Sequence, residues 1–325
     1  MIPLFFCALV DTVAVTHDLQ TVRVHEWGVV QLDYGPREAV GAEWCYPDDH
    51  GIFQYGDMMM VDAPVVWFHG PDFTGTFTVD IWTGNLTVRY PEPDRIEEQP
   101  ALLGGLFPSE RVVWEGLVGR NDRPLDDRFS ADRISSTGCD PESFRWAVPW
   151  WREVPSLTVS RESDRWSDRF IYYECTTEAF SVVDDLPVQD ETMPCSAWQG
   201  TYSGPALVFA WDTEDGGLLV ESIDVEMPDP DIHSADLSEF VPVDPDRMAQ
   251  ILCMWARSNF KSEEMTALWR TWEPVIRTRC GMFGERIMLF PLPGETVESI
   301  STLHLETDQG YFVEYHRLFL GLTGI

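Results

Sequence analysis

Between Thr21 and about Asp224 the chain never sustains a helical period; β-branched, aromatic and aliphatic residues come in short runs, each closed by turn-forming residues. Such spacing confines this stretch to strands, and many short strands with turn signals between them build a sandwich or a barrel. The runs fall at residues 22–32, 64–69, 76–82, 86–90, 111–118, 170–174, 206–211 and 218–225. Two tight hairpins are expected, one through Thr83, Gly84 and Asn85, the other through Glu214, Asp215 and Gly216, because these residues tolerate the positive φ that such turns demand. Loops at 119–142 and 184–205 are long, polar and acidic.

The pattern changes after an acidic, proline-bearing connector at 227–243. Asp244 is suited to cap a helix with Pro245 in its first turn, and Met248, Ile251, Leu252 and Trp255 recur on one face. In a second helix Ser262 is expected to cap, and Glu263 and Glu264 complement the helix dipole. Met265, Leu268, Trp269, Trp272 and Ile276 form its apolar face, with a kink at Pro274 and an end at Gly281. Strand character returns at 286–290, 299–305 and 311–320. The expected fold is therefore mainly β, with sandwich-like antiparallel sheets and an inserted C-terminal helical hairpin, α+β overall. A β-sandwich-like unit is expected over 20–225, and the hairpin with its returning strands over 226–325, packed on the same framework.

Charge narrows the function classes. Against 55 acidic residues stand 22 basic ones, giving a formal charge of −33, and Lys261 is the lone lysine. A surface of that sign repels phosphate backbones and anionic lipid, so nucleic acid is set aside as a partner. The plain reading of such a surface is solubility, the sharper one attraction of cations such as calcium, and no cofactor is assigned. The opening run at 2–10 is apolar but too short to cross a bilayer, and residues 1–16 read as a candidate secretory signal or, alternatively, a buried strand. No run is long enough for a membrane span. Apart from Cys7 there are six scattered cysteines without CxxC spacing, which in a non-cytosolic chain are more often bridged than free. The favoured pairs are Cys175 with Cys195, Cys253 with Cys280, and by remainder Cys45 with Cys139. An extracytoplasmic location, periplasmic or secreted, is expected.

Candidate chemistry is sparse. In the strand carrying His25, Glu26 and Trp27, alternation sends His25 and Trp27 to one face and Glu26 to the other. His25 and Glu26 are the candidate acid or base residues, each needing partners from elsewhere, although a histidine bonded within the core is the commoner outcome. The zinc-protease pattern fails because Val29 stands where a second histidine belongs. For binding, Trp27, His69, Trp146, Trp150, Trp151 and Arg161 are the candidates. Flat rings at Trp146, Trp150, Trp151 and Trp166 suit the faces of sugars, with core packing as the plainer role. Asp229, Asp231, His233 and Asp236 alternate in the connector with a calcium-like spacing, and Asp122, Asp126, Asp127 and Asp132 crowd another loop. Both lack the glycine and bidentate glutamate of a calcium loop. No metal site is assigned.

The segments His25 to Gly28, Met60 to Phe68, Asp168 to Tyr173 and Glu263 to Trp272, followed by Gly284, Arg286 and the strand to Phe290, carry a resemblance. The chain resembles a family of secreted bacterial proteins without known activity, whose members open with a His-Glu-Trp-Gly strand. Residues Val29 to Gln31 depart from the family's small and hydroxyl residues, and His69 stands where it has an aromatic. The resemblance implies a shared fold and secretion, and no mechanism.

Two functional readings remain. One is an extracytoplasmic binding or structural protein that recognises a glycan or an envelope protein through an aromatic-lined surface. The other is a secreted hydrolase of polysaccharide or peptide, using His25 and Glu26 with loop carboxylates.

Overall fold

A computed structural model describes residues 20–32, 59–82, 84–99, 109–123, 125, 135–136, 144–163, 165–177, 202–227, 239–257 and 259–325. The first half carries β1 (Thr21–Gln31), β2 (Met59–His69), β3 (Phe73–Ile81), β4 (Leu86–Tyr90), β5 (Arg95–Gln99), β6 (Ser109–Arg120) and β7 (Ser135–Ser136). After α1 (Val148–Glu153) come β8 (Thr158–Arg161), β9 (Trp166–Asp168), β10 (Phe170–Thr177), β11 (Tyr202–Trp211), β12 (Leu218–Met227) and β13 (Val241–Pro242). The last part holds α2 (Pro245–Trp255), α3 (Ser262–Phe283), β14 (Ile287–Pro291), α4 (Gly294–Ile300), β15 (Ser301–Thr307) and β16 (Phe312–Gly324).

The fold is mainly β, α+β overall. A ten-stranded sheet runs β13-β12-β11-β14-β16-β1-β2-β10-β4-β7, and a six-stranded sheet runs β15-β3-β6-β8-β9, with β5 also on β6. Phe68 of β2 packs on Phe73 and Phe77 of β3 at ring distances of 5.5 and 5.3 Å, so the two sheets meet face to face. Helices cover the opposite face of the large sheet. Trp269 of α3 stacks on Phe209 of β11 at 5.7 Å, and Trp151 of α1 lies against Trp27 at 6.3 Å and Phe170 at 5.3 Å. The result is three layers, with β1 central and buried on both faces over residues 24–30.

Several expectations change at this level. Pairing is antiparallel except where β1 lies parallel to β16, with Thr21 opposite Phe312 and Gln31 opposite Leu322. The Trp211–Leu218 hairpin forms. The bend before Leu86 does not close a hairpin, because β3 and β4 belong to different sheets. Gly84 is needed there for close approach: a Cβ would stand 1.8 Å from the carbonyl oxygen of Thr176. Asp244 caps α2 as expected, its side chain accepting from the Asp246 N–H. In α3 the cap is Lys261 rather than Ser262, the helix runs unbroken through Pro274, and it ends at Gly284, whose φ of 67° is left-handed. Gly281 lies within that helix. Residues 294–300 are helical, so the strand expected from 299 starts at Ser301.

The expected bridge between Cys253 and Cys280 is absent: Cys280 is buried at the inner side of α3, Cys253 is half-buried on α2, and both are free thiols. Cys175 is likewise a free, buried thiol. Cys7, Cys45, Cys139 and Cys195, the segment 1–16, and the acids Asp126, Asp127, Asp132, Asp229, Asp231 and Asp236 with His233 lie outside the described residues. Among the described residues no helix is long and apolar enough to cross a membrane.

Candidate metal centre at the seam of sheet and helix

Alternation along β1 fixes the site. His25 and Trp27 point to the helices and Glu26 to the smaller sheet, as strand geometry requires. On the antiparallel neighbour β2, Trp67 and His69 share the helix face. Pairing sets His25 opposite Trp67 and Arg23 opposite His69. The two histidines are thus diagonal neighbours with ring centroids 4.4 Å apart, and the two tryptophans pack beside them at 5.6 Å. The first turn of α3 lowers Glu264 onto this pair.

Nδ1 of His25 lies 2.9 Å from Glu264 Oε1, and Nε2 of His69 lies 3.0 Å from the same oxygen. Glu264 Oε2 accepts the backbone N–H of Lys261 at 2.6 Å, so one carboxylate both caps α3 and gathers two imidazoles. Side-chain exposure is 4% for His25, 7% for His69 and 0% for Glu264. Burial works to raise the Glu264 carboxyl, but the hydrogen bonds from His25 and His69 outweigh it and hold it at about 2. The helix N-terminus adds to that stabilisation. For His25 burial prevails instead and lowers its pKa against the pull of Glu264. An ionised carboxylate therefore sits out of water beside an imidazole that burial keeps neutral. Phe260 closes the cluster with its ring 5.0 Å from His25. The other nitrogen of His25, Nε2, is buried without a hydrogen-bond partner.

One donor atom from each of His25, His69 and Glu264 falls within a 4.8 Å group. Zinc binds imidazole nitrogen and carboxylate oxygen at about 2.0–2.2 Å, so two of its tetrahedral ligands stand about 3.4 Å apart. Opening the contacts of 2.9 and 3.0 Å by a few tenths of an ångström, on the order of ordinary side-chain adjustment, would admit such an ion. Calcium asks for six to eight oxygens, and this donor set is mostly nitrogen.

The remaining candidates are placed elsewhere. Glu26 lies on the other face of β1, where Tyr173 donates to its Oε1 at 2.5 Å and Arg317 to its Oε2 at 2.6 Å. Both oxygens are thus engaged away from His25. Trp27 and Trp151 are fully buried, as is Trp166 at 1% exposure, so these three rings are core. Trp146 and Trp150 remain nearer the surface with ring planes 80° apart, which leaves no common flat face. Arg161 is buried and donates to Asp94 and to the backbone oxygen of Glu92. A further buried polar group gathers Asp62 of β2 and Glu174 of β10: Gln31 donates to Asp62 and Tyr172 to Glu174.

Sequence reasoning found both histidines but assigned Glu264 only to the helix dipole. The usable signal was a mirrored pattern, His-x-Trp at 25–27 and Trp-x-His at 67–69, which antiparallel pairing folds into one patch.

No protein-family model matches the chain, and no curated protein matches it. Among solved structures, the Fcho1 Mu homology domain of Danio rerio with bound Eps15 peptide aligns over 93% of this chain and 93% of that one, at 7% identity and a TM-score of 0.27. At that score the likeness carries no argument about fold or function.

Proposed function

We propose that this chain is an extracytoplasmic metal-binding protein in which His25, His69 and Glu264 hold a divalent ion of the zinc class, fastening α3 to β1 and β2. The observation that carries the reading is the convergence of two imidazole nitrogens on a single buried oxygen of Glu264, at 2.9 and 3.0 Å. A charge removed from water is normally paired or bound to a metal. Among the described residues Glu264 pairs with His25 and His69 and with no arginine or lysine side chain, so a bound cation is the counter-charge that this reading supplies.

Burial decides what such an ion would do. Catalytic zinc keeps a position open to water and substrate, whereas structural zinc is closed in by the protein. Side-chain exposures of 4%, 7% and 0% favour the closed, structural kind. A hydrolase built on His25 together with Glu26 gains nothing from their opposite faces on β1. The extracytoplasmic part rests on the acidic exterior and the apolar opening run; the three described cysteines, being free, lend it no support.

Metal analysis of protein purified without chelators, followed by zinc titration against a chromogenic chelator, tests the reading. One tightly held ion per chain is expected for the native protein, and its loss in His25→Ala and Glu264→Ala. Substoichiometric zinc in the native chain, or equal binding by both variants, would end it.

A further inference from the structure

We propose that His316 supplies a third imidazole to this ion and forms the side through which the site is loaded, an inference that rests on the metal reading above. The parallel pairing of β1 with β16 puts His316 directly opposite His25, and their rings meet edge to face with centroids 5.1 Å apart. Three neighbouring strands, β2, β1 and β16, thereby present His69, His25 and His316 beneath the N-terminus of α3. Such a row is unexpected in a chain with 7 histidines unless the rings serve together.

The state of His316 differs from that of its neighbours. Its side chain is 23% exposed, and its Nε2 stands 3.9 Å from Glu314 Oε2, beyond hydrogen-bond reach. No hydrogen bond to a described residue fixes the ring. His316 also lies outside the 4.8 Å group of donor atoms, so it reaches the ion by turning its side chain. A zinc-class ion wants four ligands where His25, His69 and Glu264 supply three, and His316 is the adjacent nitrogen donor able to move. Glu314, 42% exposed beside it, is paired with Arg23 at 3.2 Å, so this edge carries an ion pair open to solvent.

The experiment is X-ray absorption of the full chain loaded with zinc, which counts imidazoles through their multiple scattering, joined to competition titrations. The native protein is expected to give three imidazoles per ion. His316→Ala should give two and bind zinc at least about tenfold more weakly. His304→Ala, a change on β15, controls for loss of any histidine, and melting of each metal-free variant controls for folding. Two imidazoles in the native protein, or unchanged affinity in His316→Ala, would overturn the role of His316 while leaving the three-residue site standing. Failure of the native chain to bind zinc at all would overturn both.

Discussion

Arg317 donates its Nε–H to Glu26 at 2.6 Å in an ion pair whose side chains are 6% and 0% exposed. The pair lies on the face of β1 opposite His25 and ties β1, β16 and β15 together, since Arg317 also donates to the backbone oxygen and hydroxyl of Ser301. Tyr173 completes it from β10. Breaking a buried pair by removing one partner strands the other, at a cost of about 3–5 kcal/mol. Glu26→Ala and Arg317→Ala should each destabilise the fold by that order in chemical denaturation. Zinc affinity of the folded fraction should stay unchanged, and a variant that lost zinc while keeping its stability would contradict the separation of the two faces.

Glu264 carries two duties that substitution can separate. Glutamine keeps an oxygen for the Lys261 N–H but removes the charge, whereas alanine removes both. Glu264→Gln should therefore retain most of the metal-free stability and lose zinc. Glu264→Ala should lose zinc and, in addition, about 1 kcal/mol of capping energy. For the native chain, zinc at a hundred times its dissociation constant should add about 2.7 kcal/mol to unfolding. Denaturation with zinc and with chelator gives all three numbers, and equal stabilisation of Glu264→Gln by zinc would remove the carboxylate from the site.

The strands were legible where both faces obey local rules. β4 shows clean alternation, and the loop at Asp212 to Gly216 uses Asp212 Oδ1 to accept two backbone N–H groups, a turn written in adjacent residues. Long-range facts were not legible. The pairing of β1 with β16 joins residues 291 apart, as in Glu26 with Arg317, and no local pattern announces a parallel neighbour. Short strands such as β8 and β9 were missed because 4 and 3 residues are too few to show a period. The site was half visible for the same reason. His25 and His69 stand on strands whose alternation could be read, but the acid that joins them comes 195 residues after His69, from a helix whose docking is decided by its tryptophans.

Burial, followed by the neighbouring Asp62, pushes the Glu174 carboxyl up to about 8 from an ordinary 4.5. Between those values the folded chain holds a proton that the unfolded chain has released, so stability must fall as pH rises through the window. His25 and His316, both lowered by burial, act oppositely below their ordinary value of 6.5, where the unfolded chain binds the extra protons. Between about pH 7 and 8, above the histidine range and below that of the unfolded thiols, the Glu174 effect should set the slope. Unfolding midpoints of the native chain should drop between about pH 7 and 8, while Glu174→Gln should show a flatter profile. Parallel profiles would mean that Glu174 is already ionised at neutral pH.

The described thiols should differ in reactivity, because the thiolate is the attacking species and burial withholds it. Burial pushes Cys280 up to about 12 and Cys175 well above the ordinary thiol range. Cys253 is raised by burial too, with Glu264 and Glu263 adding to the effect, but it is only half-buried on α2. Brief alkylation of the native chain, read peptide by peptide in a mass spectrometer, should label Cys253 first and leave Cys175 and Cys280 unmodified until denaturant is added. Should Cys253 and Cys280 emerge instead as one disulfide-linked peptide, α2 and the end of α3 would have to approach more closely than they do here, and the core around Cys280 would need to be redrawn.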